Sequence, residues 1–295
     1  MEKLTLEGYN NLKINAYLYT PTSKPKAVIQ IIHGMQEHAL RYKEFSEFLC
    51  SQGYVVLASD SRGHGFTSLS KDKLGYDDGD IFANTVQDQL LISKYLKEKF
   101  DNLPLFIFGH SYGSFITQKL LQVNPYVKKY VICGTADGDS FIFKLGNFVA
   151  SILSFLGLKN HKATLIENLS IKAYGKKFEG GNWLTRDEVV YKEFTEDEYC
   201  GGSFPISFYK SMFSNLIKVN KGIKNIPKDI KVLFIVGDKD PVGDDSKQVK
   251  TLFGKFIKNG INADLEIYKD CRHELVAELN KEEIFNDVLR FYKEK

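Results

Sequence analysis

From Val28 to Cys133, short apolar runs alternate with stretches whose apolar residues recur at helical spacing. The runs are Ala27 to Ile32, Tyr54 to Ala58, Leu105 to Phe108 and Tyr130 to Cys133. Between them, Phe45, Phe48 and Leu49 precede a Gly53 stop. Val86, Leu90, Leu91, Tyr95 and Leu96 mark a second helix, and Phe115, Ile116, Leu120 and Leu121 a third. A run without polar alternation suits a strand covered on both faces. Strand–helix alternation predicts an α/β fold: a mostly parallel sheet with right-handed crossovers, flanked by helices. The pattern fails from Ala136 to about Ile226. It returns as a strand at Val232 to Val236, a helix at Val249 to Ile257, a strand at Ala263 to Tyr268 and a helix at Ile284 to Tyr292. The expected division is a core of residues 1–135 and 227–295, interrupted by an inserted helical cap of residues 136–226. Ahead of this, Leu4, Leu6, Ile14, Tyr17 and Tyr19 alternate loosely about Asn10-Asn11, which predicts two short strands joined at that turn.

Gly109-His110-Ser111-Tyr112-Gly113 is a G-x-S-x-G pentapeptide. By composition alone such a pentapeptide arises in roughly one chain of this length in ten. Its setting separates it from chance: it follows an apolar strand and precedes a helix. A tight strand–turn–helix lifts a serine Oγ above the sheet edge, at a helix N-terminus whose free N–H groups favour developing negative charge. The bland alternative is a glycine-rich turn.

A serine hydroxyl needs a base, and the base needs an acid to orient it. Asp240, in Gly237-Asp238-Lys239-Asp240-Pro241 after the Val232 strand, is the expected acid, with Asp238 as its local rival. His273, in Asp270-Cys271-Arg272-His273-Glu274, is the only histidine beyond that acid and the expected base. The two oxyanion donors are expected to be the backbone N–H groups of Tyr112 and of Met35, in the loop after the first central strand. Singly, an Asp in a loop is a turn former and a lone His is structural. Three such residues at the expected strand ends are harder to assign to coincidence. His33, Glu37, His38, Arg62 and His64 read as residues that order loops, and His110 as pointing away from the chemistry. Neither histidine pair has metal-ligand spacing, and the reading includes no metal and no cofactor.

At this point the sequence resembles the monoacylglycerol lipase and lysophospholipase branch of the α/β-hydrolases, a group that includes serine aminopeptidases. The resemblance is carried by His33-Gly34-Met35-Gln36-Glu37-His38, Asp60-Ser61-Arg62-Gly63-His64-Gly65, Gly109 to Gly113, Asp240-Pro241 and Arg272-His273-Glu274-Leu275. Asn182-Trp183-Leu184-Thr185-Arg186-Asp187 and Cys200-Gly201 add to it. It implies the α/β-hydrolase fold, with an eight-stranded sheet and a cap over the active site. It also implies cofactor-free hydrolysis of acyl esters, here of monoacylglycerol or lysophospholipid. The chain departs from the family in having Gln36 where glycine is usual, so a Cβ narrows the oxyanion loop or brings a polar group near the substrate.

Two other functions stay open on the sequence. An aminopeptidase or amidase would need an acidic group in the cap to hold a free amine, for which Glu179, Glu196 or Asp197 could serve. A non-catalytic binding protein would be expected to have lost a member of the triad. Phe141 to Leu158, interrupted by Lys144 and Asn147, reads either as a lid helix that lines an acyl tunnel and touches a membrane or micelle, or as a cap helix packed on the body. No run of about 18 unbroken apolar residues is seen, so no spanning helix is expected. The net charge of +3 is spread along the chain, which gives no patch for nucleic acid. Four well-separated cysteines and the lack of a signal-like start point to reduced thiols in a cytoplasmic protein, with the membrane as a peripheral contact. The oligomeric state is not legible.

Overall fold

A computed structural model describes residues 1–294. The strands are β1 (Glu2–Glu7), β2 (Lys13–Tyr19), β3 (Ala27–Ile32), β4 (Tyr54–Ser59), β5 (Leu105–His110), β6 (Val127–Cys133), β7 (Lys231–Gly237) and β8 (Asn262–Tyr268). Five α-helices of the sheet layers are α1 (Lys43–Ser51), α2 (Ile81–Lys99), α3 (Tyr112–Val123), α9 (Lys247–Lys258) and α10 (Lys281–Lys293). Between β6 and β7 come α4 (Phe141–Leu153), α5 (Thr164–Leu169), α6 (Ile171–Gly175), α7 (Glu188–Glu196) and α8 (Ile206–Lys221). That stretch contributes no strand to the sheet, only an isolated bridge between Lys162 and Pro205.

The sheet runs in the order β1-β2-β4-β3-β5-β6-β7-β8. β1 and β2 pair antiparallel around Asn10 and Asn11, both in the left-handed region at φ 56° and 59°. β2 also meets β4 antiparallel, and every later pairing is parallel. This is the α/β-hydrolase arrangement. β3, β4 and β5 are buried along their whole length, which is why their sequences run apolar without alternation. Two apolar clusters cover the two faces. Phe82, Phe115 and Phe234 belong to one, and Phe45, Phe108 and Phe285 to the other. Gln30, the polar exception in β3, is fully paired: its amide donates to Gln89 Oε1 (2.8 Å) and its oxygen accepts from Ser93 (2.6 Å).

The chain from Phe141 to Leu158, read from the sequence as an apolar helix, forms one helical stretch that by length and composition alone could cross a membrane. Its packing is one-sided, however. Phe143 is buried against Phe115 and Phe213, with ring centroids 5.8 and 5.7 Å away, while Phe141, Phe148 and Phe155 face outward.

Candidate active site

Ser111 sits between β5 and α3 with φ 51° and ψ −118°, a conformation rarely adopted by a residue with a Cβ. Its surroundings over-determine that strain. A Cβ on Gly109 would stand 2.1 Å from Thr117 Oγ1, and one on Gly113 would stand 2.1 Å from the Ile32 carbonyl. Only glycine lets β5 turn into α3 while α3 presses against the end of β3. The Ser111 N–H donates to the Cys133 carbonyl (2.9 Å), and the Ser111 carbonyl accepts from Ser114 N–H (2.8 Å).

The other two triad candidates arrive from the ends of β7 and β8. His273 Nδ1 lies 2.9 Å from Asp240 Oδ1, which also accepts from Val242 N–H (2.9 Å). Both side chains are buried. His273 Nε2 has no hydrogen-bond partner among the described residues, and it shares with Ser111 the wall of a cavity of about 640 Å³. Gly134, at φ +58°, makes room for the imidazole: a Cβ there would meet His273 Nδ1 at 3.2 Å. Asp238 turns elsewhere and accepts from Asp270 N–H (2.8 Å). The structure therefore brings Ser111, Asp240 and His273 together and leaves Asp238 out.

Burial alone would lower the His273 pKa. The Asp240 charge and hydrogen bond, with Glu274 and Glu37 behind them, outweigh burial and raise it above the ordinary imidazole value. A base at this position works only when neutral. The acid limb of a kcat/KM profile should therefore have its midpoint above about 6.5. Rates measured from pH 5 to 9 on a soluble ester check this; a midpoint below 6 would contradict it.

Met35 and Tyr112 stand where the oxyanion donors were expected, at the end of β3 and the start of α3. Neither N–H is engaged by another described residue. Gly34 N–H is held by Glu37, which also accepts from Tyr42 OH (2.8 Å) and Arg41 (2.6 Å). Burial would raise the Glu37 carboxyl, but Arg41 and His110 outweigh it and hold it well below the usual carboxylate range. Arg41 reaches on to Glu274 with two bonds of 2.6 Å, tying the oxyanion loop to the residue beside His273. A planar guanidinium suits this double fork.

Gln36 lies in the left-handed region at φ 59°. It lines the Ser111 cavity; its side-chain amide donates into the insertion, to the buried Glu167 (3.2 Å), and its backbone carbonyl accepts from Gly201 N–H (2.9 Å). Glu167 has no basic partner among the described residues but accepts from Tyr209 OH (2.9 Å), Phe204 N–H (3.0 Å) and Ser203 Oγ. The two Gln36 bonds tie the oxyanion loop to the insertion.

One expectation needs correction, and one open alternative is narrowed. His110 does not point away: its Nε2 lies 3.2 Å from the His273 carbonyl and its ring 4.8 Å from the His273 ring, where it props the base loop. The Phe141–Leu158 helix does not line the cavity. Ile171, Phe178, Trp183, Tyr191 and Phe194 form its apolar wall instead. Trp183 was part of a motif but had no assigned role; its ring lies 5.1 Å from His273. The neighbouring Leu184 carbonyl accepts from Glu274 N–H (2.7 Å), docking insertion and base loop together. His64 stacks on Tyr112, and burial beside His33 pushes its pKa down to about 3, so it is an uncharged packing group. Arg62 is engaged by Asp77 and Asp88. His38, Asp197 and Cys200 have donor atoms within 4.8 Å of one another, a cluster that residue spacing does not show. His38 pairs with Asp197 (2.9 Å), and burial pushes the Cys200 thiol pKa up.

Comparison with known proteins agrees with this geometry. The family described as serine aminopeptidase, S33, matches residues 23–280. The chain belongs to this family. A monoglyceride lipase homolog of Monkeypox virus is 25% identical over 277 residues, 90% of each chain. A probable lysophospholipase L2 of Haemophilus influenzae is 24% identical over 297 residues, 97% of this chain and 88% of that one. An uncharacterized abhydrolase domain-containing protein of Dictyostelium discoideum is 23% identical over 281 residues; the chain spans only 27% of that relative's length. Among solved structures, a thermostable carboxyl esterase from Bacillus coagulans, in complex with glycerol, has a TM-score of 0.89 at 24% identity, covering 99% of this chain and 97% of that one. At that identity the likeness speaks for the fold. The S33 member described here is thus a serine hydrolase by family, on the α/β-hydrolase fold.

Proposed function

We propose that this S33 hydrolase cleaves the acyl ester of a monoacylglycerol or lysophospholipid through an acyl-enzyme on Ser111. The observation that carries the reading is the buried Asp240–His273 pair, whose free Nε2 shares a cavity with a serine held in a strained elbow. In the first half-reaction His273 Nε2 takes the Ser111 proton as Oγ attacks the ester carbonyl. Met35 and Tyr112 N–H groups hold the oxyanion, and His273 then protonates the leaving alcohol. In the second half, His273 activates water to release the fatty acid and Ser111. Relatives named monoglyceride lipase homolog and probable lysophospholipase support the substrate class, as does an esterase fold seen with glycerol. An ester panel of varied chain length and headgroup tests it. Turnover confined to amides or N-terminal peptides would overturn it.

Aminopeptidase action is disfavoured by the cavity itself. Glu179, Glu196 and Asp197 are not part of its wall, and its carboxylates, Glu37 and Glu274, are both engaged by Arg41. A free amine finds no unpaired partner there.

Residues 136–226 act, in this reading, as the cap. Their exposed apolar helix is the point of contact with a membrane or micelle. Phe141 and Phe155 are 76% and 91% exposed, and Phe148, Leu156 and Leu169 extend the apolar surface. Changing Phe141, Phe148 and Phe155 together to serine should lower the ratio of micellar long-chain to soluble short-chain ester hydrolysis by about tenfold. Equal losses on both substrates would remove the lipid-contact role.

A further inference from the structure

Resting on the ester-hydrolase reading above, we propose that Lys172 and Lys176 form an anion subsite that selects a phosphate-bearing headgroup on the lipid ester. The two residues lie one helical turn apart, on α6 and just beyond its end, and both line the Ser111 cavity. Neither amine has a hydrogen-bond or carboxylate partner among the described residues, whereas the next lysine, Lys177, faces Asp245 (4.0 Å).

The charge balance of the cavity makes this pair significant. Its wall holds two carboxylates, Glu37 and Glu274, and both are already claimed by Arg41 at 2.6 Å. With the single charge of Arg41 set against both carboxylates, Lys172 and Lys176 leave the cavity with one net positive charge, carried at its lysine side. A neutral glycerol headgroup gains nothing from it, but a phosphate gains two charge-assisted hydrogen bonds.

The test uses the whole chain and two soluble, monomeric substrates, so that no lipid surface takes part. One is a short-chain monoacylglycerol. The other is the same molecule phosphorylated on its free primary hydroxyl. The wild-type enzyme should favour the phosphorylated ester in kcat/KM. Lys172→Glu and Lys176→Glu together should reduce the ratio of the two kcat/KM values by about tenfold or more. The preference should also weaken as salt rises. Both lysines are exposed, so a folding defect is not expected; a thermal unfolding midpoint close to wild type, with Lys172→Arg and Lys176→Arg restoring the ratio, checks this. A wild type that prefers the neutral ester, or a ratio unmoved by the charge reversal, overturns the subsite while leaving ester hydrolysis standing. Inorganic phosphate that competes as tightly as the phosphorylated ester would make it a free-phosphate site and overturn the headgroup assignment. A wild type that cleaves neither ester refutes the underlying reading itself.

Discussion

Ser111→Ala lowers kcat on a soluble ester by about 10⁶-fold, the loss expected when a triad loses its nucleophile and keeps only oxyanion donors and binding. The fold should survive. The hydroxyl makes no hydrogen bond on which the elbow depends; the backbone bonds to Cys133 and Ser114, and the glycines at 109 and 113, hold the turn. An unchanged thermal unfolding midpoint together with lost turnover separates chemistry from stability. Residual activity above about one part in a hundred would mean that another group attacks the ester.

Asp240→Asn lowers kcat by about 10⁴-fold. The physical reason is the tautomer. Asp240 Oδ1 accepts the proton on His273 Nδ1, which leaves Nε2 free to receive the serine proton. An asparagine can present its N–H₂ instead, placing the imidazole proton on Nε2, where it blocks the transfer. The same change removes the charge that outweighs burial, so the acid limb of the remaining activity should move to lower pH. Asp238→Asn is the matched control. Asp238 caps the Asp270 turn rather than the imidazole, and its loss should change kcat only a few-fold. The reverse ranking of the two variants would show that the acid had been misassigned.

Much of this site was legible because its chemistry lies at strand ends. Val28 to Ile32, Leu105 to Phe108 and Val232 to Val236 announce buried strands through unbroken apolar runs, and the loops that follow them carry Met35, Ser111 and Asp240. The eight-stranded order places those loops side by side. What was not legible depends on contacts with no local signature. Arg41 and Glu274 are 233 positions apart, and no periodicity joins them. Gln36 could be recognised as a departure from glycine, but its partner Glu167 lies 131 positions on, inside an insertion without regular pattern. Apolarity misled in the same region. The most apolar run, Phe141 to Leu158, packs beside the core and faces outward, while the cavity is walled by the more mixed stretch from Ile171 to Phe194. Lys172 and Lys176 look like ordinary surface lysines until the cavity is seen to include them. His110 was misjudged for a related reason: the elbow fixes its backbone, but the Glu37 and Tyr42 side chains decide where its ring goes.

The central claim is that Ser111, activated by His273, is the nucleophile. Labelling the purified chain with a fluorophosphonate and locating the adduct by peptide mass spectrometry tests it most directly. One equivalent of label on Ser111, absent in Ser111→Ala and slowed in Asp240→Asn in step with its loss of turnover, is the predicted result. A label found on another residue, or ester hydrolysis that persists while Ser111 stays unmodified, would contradict it.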